Sequence, residues 1–182
     1  SDPRVADRAT RITEAADRCS RIVKTFLAMA RRRPKRSEPV ALNDVVRAAA
    51  DMTAYAFRSS QVELSLALAP GLPAVTGDAD QLAQLIANLM FNAEQALRGQ
   101  PEPRRVEVAT AENESAGEIV VTVRDTGPGI PPELQKRVFE PFFTTKEVGA
   151  GTGIGLSLCY RIVQAHSGRI ALASAPGEGT LF

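Results

Sequence analysis

Between positions 149 and 156 the chain reads Gly-Ala-Gly-Thr-Gly-Ile-Gly-Leu, with glycine at every second residue. Such a run suits neither a helix nor a strand, since glycine loses the most backbone freedom on ordering. A flexible linker would explain it, but a linker would not lead straight into the apolar stretch Ile154 to Val163. Backbone amides of a glycine-rich loop that runs into a helix N-terminus form a phosphate cradle. No Gly-Lys-Ser/Thr ends the run and no Rossmann strand precedes it, so neither of the two best-known nucleotide loops is present.

Three other segments stand in order before this loop. Leu82, Leu85, Ile86, Leu89, Ala93 and Leu97 fall on one arc of a helix spanning about 80–97, with Asn88 and Asn92 side by side at its edge. Amide oxygens are hard, neutral ligands that suit Mg²⁺, which takes its remaining ligands from water and phosphates. Two amides on a helix surface would look the same. Next, Asp125-Thr126-Gly127-Pro128-Gly129-Ile130 follows a strand, where a carboxylate can accept from an adenine amino group. Its two glycines let backbone approach a flat ring, although a tight turn alone would also use them. Third, Phe139-Glu140-Pro141-Phe142-Phe143-Thr144-Thr145-Lys146 places three of the seven phenylalanines within five positions.

Composition sets the frame for these motifs. The 182 residues are 44% hydrophobic and 24% charged, the balance of a globular protein. No apolar run approaches the ~18 residues of a membrane span, and the charged N-terminus has no signal-peptide core. Two cysteines, Cys19 and Cys159, exclude a disulfide scaffold, and the one histidine, His166, excludes most zinc sites and triads. The net charge of +1 hides a split: residues 1–36 carry 11 Lys/Arg against 4 Asp/Glu, and residues 37–182 carry 11 against 17. Two units are expected.

In the first unit Val5, Ala9, Ile12, Ala16, Cys19, Val23, Phe26 and Ala30 step by 4 and 3 alternately. That is a coiled-coil seam on one long helix, which must meet other helices to bury its stripe. Cys19 on the seam reads as a core thiol. The basic run Arg31 to Arg36 has no interleaved aromatic residue, so it reads as a solvated linker and not as a nucleic-acid site.

In the second unit the patterns predict a strand at 39–42, a helix capped by Asn43 and running to Phe57, and strands at 62–68 and after Pro73. A helix over 80–97, a hairpin of 106–110 with 119–124, and helices at 131–139 and 154–166 follow. Strands at 170–173 and 179–182 close the chain. The fold class is α+β, a two-layer sandwich of a mixed, mostly antiparallel sheet with helices on one face. The sequence stops inside its last apparent strand, so a longer parent protein is expected.

The order of Asn, Asp-Gly, Phe and Gly motifs over about 70 residues resembles the ATP-binding domain of sensor histidine kinases. That domain belongs to the wider superfamily of DNA gyrase, heat-shock chaperone and mismatch-repair ATPases. The likeness covers about residues 38–182, and residues 1–36 resemble the second helix of the dimerisation and phosphoacceptor domain with its linker. It implies that Asp125 holds the adenine amino group, with Gly127, Gly129 and Ile130 beside the ring and Thr180 near it. It implies that Asn92, helped by Asn88, holds Mg²⁺ against the ATP phosphates, making both candidate metal ligands and, with Lys146, candidate catalytic residues. A lid over 144–155 would bring Gly151, Thr152, Gly153, Ile154, Gly155 and Leu156 to the nucleotide, and Lys146 to its terminal phosphates.

Position 88 bears on the reaction. Hydrolytic relatives, and serine kinases of anti-sigma antagonists, hold glutamate there as a general base, which an asparagine amide cannot be. Asn88 therefore favours transfer to a histidine, already nucleophilic at neutral pH. The resemblance also implies homodimerisation through dimerisation helices, a response-regulator receiver domain as partner, and a cytoplasmic site. The phosphoacceptor histidine of the family belongs on a first dimerisation helix that these residues do not contain, and His166 reads as a helix-end cap. A nucleotide-binding docking module without transfer, or an ATP hydrolase, are the alternatives.

Overall fold

In the computed structural model of the chain, residue 8 and residues 37–146 and 152–182 are described. The chain divides into two units, Ser1–Pro34 and Lys35–Phe182. The heptad helix with Cys19 lies outside the described residues, as do Gly149 and Gly151.

The second unit opens with a short strand β1 (Glu38–Val40) and helix α1 (Leu42–Ser60). Strands β2 (Glu63–Leu68) and β3 (Val75–Gly77) lead to helix α2 (Ala79–Leu97). A hairpin of β4 (Arg105–Asn113) and β5 (Glu118–Asp125) follows, then a single helical turn α3 (Pro132–Gln135) and helix α4 (Gly155–Ala165). Strands β6 (Ala173–Ser174) and β7 (Thr180–Leu181) end the unit. Five strands form one sheet in the order β2-β4-β5-β7-β6, in which only β2 and β4 run parallel. β1 and β3 make a separate antiparallel pair.

Alternation decides the two faces. Val106, Val108 and Val123 point inward and are buried, while Glu63, Arg105, Glu107 and Arg124 stand on the solvent face. The helices cover the inward face. α1 buries Val45, Val46, Ala49 and Phe57, and α2 packs between α1 and α4 with Ile86, Met90 and Leu97 almost wholly enclosed. This is the expected α+β sandwich. No helix among the described residues is long and apolar enough to cross a membrane.

Several boundaries differ from expectation. Ala41, not Asn43, is the N-cap of α1. Asn43 lies inside the first turn, where its Nδ2 donates to the Ala69 carbonyl and its Oδ1 accepts from Thr110, both at 2.8 Å. A tertiary tie outcompetes the local cap. The expected helix 131–139 stops after Gln135, and the chain continues in linked turns in which Arg137, Glu140 and Phe143 each donate three residues back. β6 begins at Ala173 because β7 offers it partners only at Thr180 and Leu181.

His166 is the C-cap of α4, half-buried. The Asp78 N–H donates to its Nε2 at 3.0 Å, and its Nδ1 lies 2.8 Å from the Ile162 carbonyl, which sets the neutral tautomer with hydrogen on Nδ1. A methyl group on Gly77 would come within 2.8 Å of the ring. The ring thus ties the end of α4 to the start of α2, where Asp78 accepts from the Gln81 N–H as N-cap. Replacing His166 by alanine should lower stability by about 1–3 kcal/mol, since it leaves the Asp78 N–H without its acceptor. Thermal unfolding of the variant checks this, with a Tm drop of roughly 2–4 °C per kcal/mol expected for a chain of this size.

Candidate functional site

The C-terminal half of α2 organises the site. Asn88, Asn92 and Ala96 recur every fourth residue, so they share one stripe of the helix. Each meets a different element. The Asn88 amide lies beside Cys159 in the second turn of α4. Asn92 faces the start of that helix, for a methyl group on Gly155 would sit 3.8 Å from its Nδ2 and 4.0 Å from its Oδ1. Ala96 faces the Asp-Gly turn, its Cβ 3.5 Å from where a Gly127 Cβ would stand.

The Nδ2 atoms of both Asn88 and Asn92 are buried with no hydrogen-bond partner among the described residues. Native structures hold few such atoms, and each costs about 1–3 kcal/mol. The first turn of α4 beside them has no side-chain cap, with Gly155 at its first position. Unpaired amides and a helix N-terminus together attract an anion. A turn of either amide about its last bond presents Oδ1 instead, a neutral oxygen for a hard cation. The donor set therefore fits a phosphate chain carrying Mg²⁺. Cys159 is free and fully enclosed, and burial pushes its thiol up to about 12 while neighbouring Asn88 works the other way, so the thiol is inert packing.

Asp125 ends β5 on the inward face and is only 4% exposed. Burial raises its carboxyl above the usual range, and the backbone N–H groups of Gly127 and Thr180 pull against that shift. The Gly127 N–H donates to Oδ1 at 2.8 Å. A methyl group on Gly127 would come within 2.8 Å of that oxygen. Thr180 stands directly across from Asp125 in the β5–β7 ladder and is buried.

The turn after Asp125 is clamped by residues that sequence reading passed over. Ser174 Oγ accepts from the Ile130 N–H at 2.8 Å and donates to the Gly179 carbonyl at 2.7 Å. Gln135 Nε2 donates to both the Ile130 and Ser174 carbonyls at 2.8 Å. Gly129, at φ +73°, packs against the carbonyl groups of Ala175 and Gly179, where no Cβ fits. No local motif signals Ser174 or Gln135, because the bonds that lock the turn, Ile130 to Ser174 and Gln135 to Ser174, span 44 and 39 positions.

The Phe motif meets the Gly motif directly. The Phe142 N–H donates to the Gly153 carbonyl at 2.8 Å, and Gly153, at φ +64°, lies against the Phe142 backbone. Phe142 itself takes φ +67° and is 74% exposed. Phe139 packs on Tyr160 and Phe182, and Arg137 lies over the Phe143 ring at 4.4 Å. Thr152 Oγ1 accepts from the Ile154 N–H at 3.3 Å, Ile154 is buried, and Leu156 is half-buried in the first turn of α4. Lys146 Nζ donates to Gln95 Oε1 on α2. Gly151 lies outside the described residues.

Comparison with known proteins gives the family. The histidine kinase-, DNA gyrase B- and HSP90-like ATPase family matches residues 77–182. The sensor kinase CckA of Brucella abortus (strain 2308) is 36% identical over 194 residues, covering 100% of this chain and 20% of that protein. The signal transduction histidine-protein kinase AtoS of Escherichia coli (strain K12) is 31% identical, covering 100% of this chain and 29% of its own length. The catalytic domain of histidine kinase ThkA superposes with a TM-score of 0.68 at 27% identity, over 80% of this chain and 91% of that one. The chain thus spans less than a third of these two curated relatives. It belongs to the histidine kinase-, DNA gyrase B- and HSP90-like ATPase family, as the catalytic, ATP-binding domain of a sensor histidine kinase.

Proposed function

We propose that the chain binds ATP with Mg²⁺ and passes the γ-phosphoryl group to a histidine of a dimerisation domain, for onward transfer to a response-regulator aspartate. The observation that carries this reading is the stripe Asn88–Asn92–Ala96, with two amides unpartnered among the described residues, Asn92 turned to an uncapped helix N-terminus, and Ala96 against the turn that follows the buried Asp125 carboxylate. Asp125 accepts from the adenine amino group, and Gly127, Gly129, Ile130 and Thr180 shape the ring's surroundings. Asn92 and Asn88 hold Mg²⁺ through Oδ1, with Gly151, Thr152, Gly153, Ile154, Gly155 and Leu156 offering backbone to the phosphates. Bound there, Mg²⁺ supplies charge neutralisation across the phosphate oxygens. Lys146 adds an ammonium at the terminal phosphate.

What these residues do is position and neutralise, and neither Asn88 nor Asn92 can act as a base. Asn88 cannot take a proton from water, which disfavours hydrolysis and favours a nucleophile that needs no deprotonation. The 182 residues contain one histidine, and His166 has both ring nitrogens engaged in holding α4 to α2. The acceptor therefore comes from outside these residues. Residues 1–36 serve as the second helix of the dimerisation domain and its linker, the parent acts as a homodimer at the cytoplasmic side, and a receiver domain is its partner.

Calorimetric titration with β,γ-imido-ATP, with and without Mg²⁺, tests the reading. Magnesium-dependent binding is expected, with no stoichiometric phosphohistidine after incubation with ATP. Steady phosphate release would make the chain a hydrolase, and absence of binding would make it a docking module.

A further inference from the structure

Glu94 is the one charged side chain that α2 buries completely. Its Oε1 accepts from Arg98 Nε at 2.7 Å, while its Oε2 is buried with no partner among the described residues. A buried carboxylate with a spare oxygen is costly unless a cation stands near. Next to it Gln95 accepts from the Lys146 ammonium. Lys146 is half-buried, so burial favours its neutral form, the Glu94 carboxylate opposes this, and Arg98 adds to burial.

We infer that Glu94 and Gln95 form a cradle on α2 that positions the Lys146 ammonium, Gln95 as direct acceptor and Glu94 as buried counter-charge. The inference rests on the reading of Lys146 as the group that meets the terminal phosphate. The choice of residue types follows from charge. An ammonium has three donors, and a neutral amide oxygen occupies one of them without cancelling the charge, leaving two for phosphate oxygens. A carboxylate at position 95 would pair with the lysine and repel the nucleotide. Glu94 lies deeper, within the helix packing, where it favours the charged lysine and leaves Arg98 as its own hydrogen-bonded partner. Because α2 is rigid and also carries Asn88 and Asn92, a lysine resting on it keeps a fixed relation to the amides. Less of its rotamer freedom remains to be lost when a nucleotide arrives.

Glu94 and Gln95 are thus positioning residues, and their effect should appear only where a terminal phosphate is present. The test is titration of β,γ-imido-ATP and of ADP, each with Mg²⁺, into the 182-residue chain and into Lys146→Ala, Glu94→Gln, Gln95→Leu and the double variant Lys146→Ala/Glu94→Gln. Glu94→Gln keeps the Arg98 contact and the shape. Lys146→Ala and Glu94→Gln should each weaken the ATP analogue by roughly tenfold, the scale of one hydrogen bond to a charged group, and leave ADP unchanged. The double variant should lose no more than Lys146→Ala alone. Equal loss for ADP, or additive losses in the double variant, would overturn the cradle and make Glu94 a packing residue. Loss in Lys146→Ala without loss in Glu94→Gln or Gln95→Leu would overturn the cradle and leave the lysine's role standing. No loss in Lys146→Ala would overturn both. Should Glu94→Gln fail to fold, Gln95→Leu at a half-buried position carries the same comparison.

Discussion

Asp125→Asn should abolish most nucleotide affinity while leaving the fold intact. The isosteric amide keeps an oxygen for the Gly127 N–H, so the turn that follows β5 retains its 2.8 Å tie. It replaces the other carboxylate oxygen by an NH₂ group, which would face the adenine amino group donor against donor. Losing a charge-assisted hydrogen bond in a closed site, and leaving a donor unpaired there, should cost roughly 10- to 100-fold in affinity. The stability of the free chain moves the other way. Burial raises the Asp125 carboxyl above its unfolded range, so this group favours folding below that range and loses its contribution as pH rises through the raised value. At neutral pH the ionised carboxylate is a burden on the fold, and the amide removes it. Titration with β,γ-imido-ATP, together with melting curves at neutral pH, checks both halves. A variant that binds as well as the parent would show that another residue holds the base.

The Asp125 turn also shows which parts of the molecule a sequence can disclose. The arc Leu82–Leu97 is a helix whose period alone announces it, and the pair Asn88–Asn92 follows from its geometry. Strands β4 and β5 alternate in the same legible way. What local pattern misses is every group whose partner is far along the chain. Asn43 has the chemistry of a cap, yet it bonds Ala69 and Thr110, and Ala41 takes the cap position. The stretch 131–139 has a helix-like spacing, but linked turns with donors three residues back satisfy the same spacing without a helix. Ser174 braces the Asp-Gly turn from 44 residues away and Gln135 reaches Ser174 across 39, and neither belongs to a recognisable motif. Glu94 would pass for a solvated helix charge until α2 is seen to be covered on that side.

Asn92→Leu should give the opposite pair of outcomes to an ordinary core substitution: a more stable chain that has lost its Mg²⁺-dependent binding. Among the described residues the Asn92 Nδ2 is buried without a partner, and leucine of similar volume removes that donor while filling the same space. Relief of that penalty is worth about 1–3 kcal/mol. For a chain of this size each kcal/mol raises Tm by roughly 2–4 °C, so a rise of several degrees is expected. The same change takes away the one amide that faces the first turn of α4 at Gly155. Added Mg²⁺ should then no longer tighten the binding of β,γ-imido-ATP, although the base contact at Asp125 survives. A residue kept for the fold would show the reverse, a lower Tm with binding intact once folded, and that result would remove Asn92 from the site. The amide, unpaired among the described residues, makes sense as a group held at a cost in the free chain and satisfied by a ligand. Asn88, whose amide lies against the Cys159 sulfur, should show a smaller gain in stability and a smaller loss of binding, because Asn92 stands closer to the helix end where the phosphates would rest.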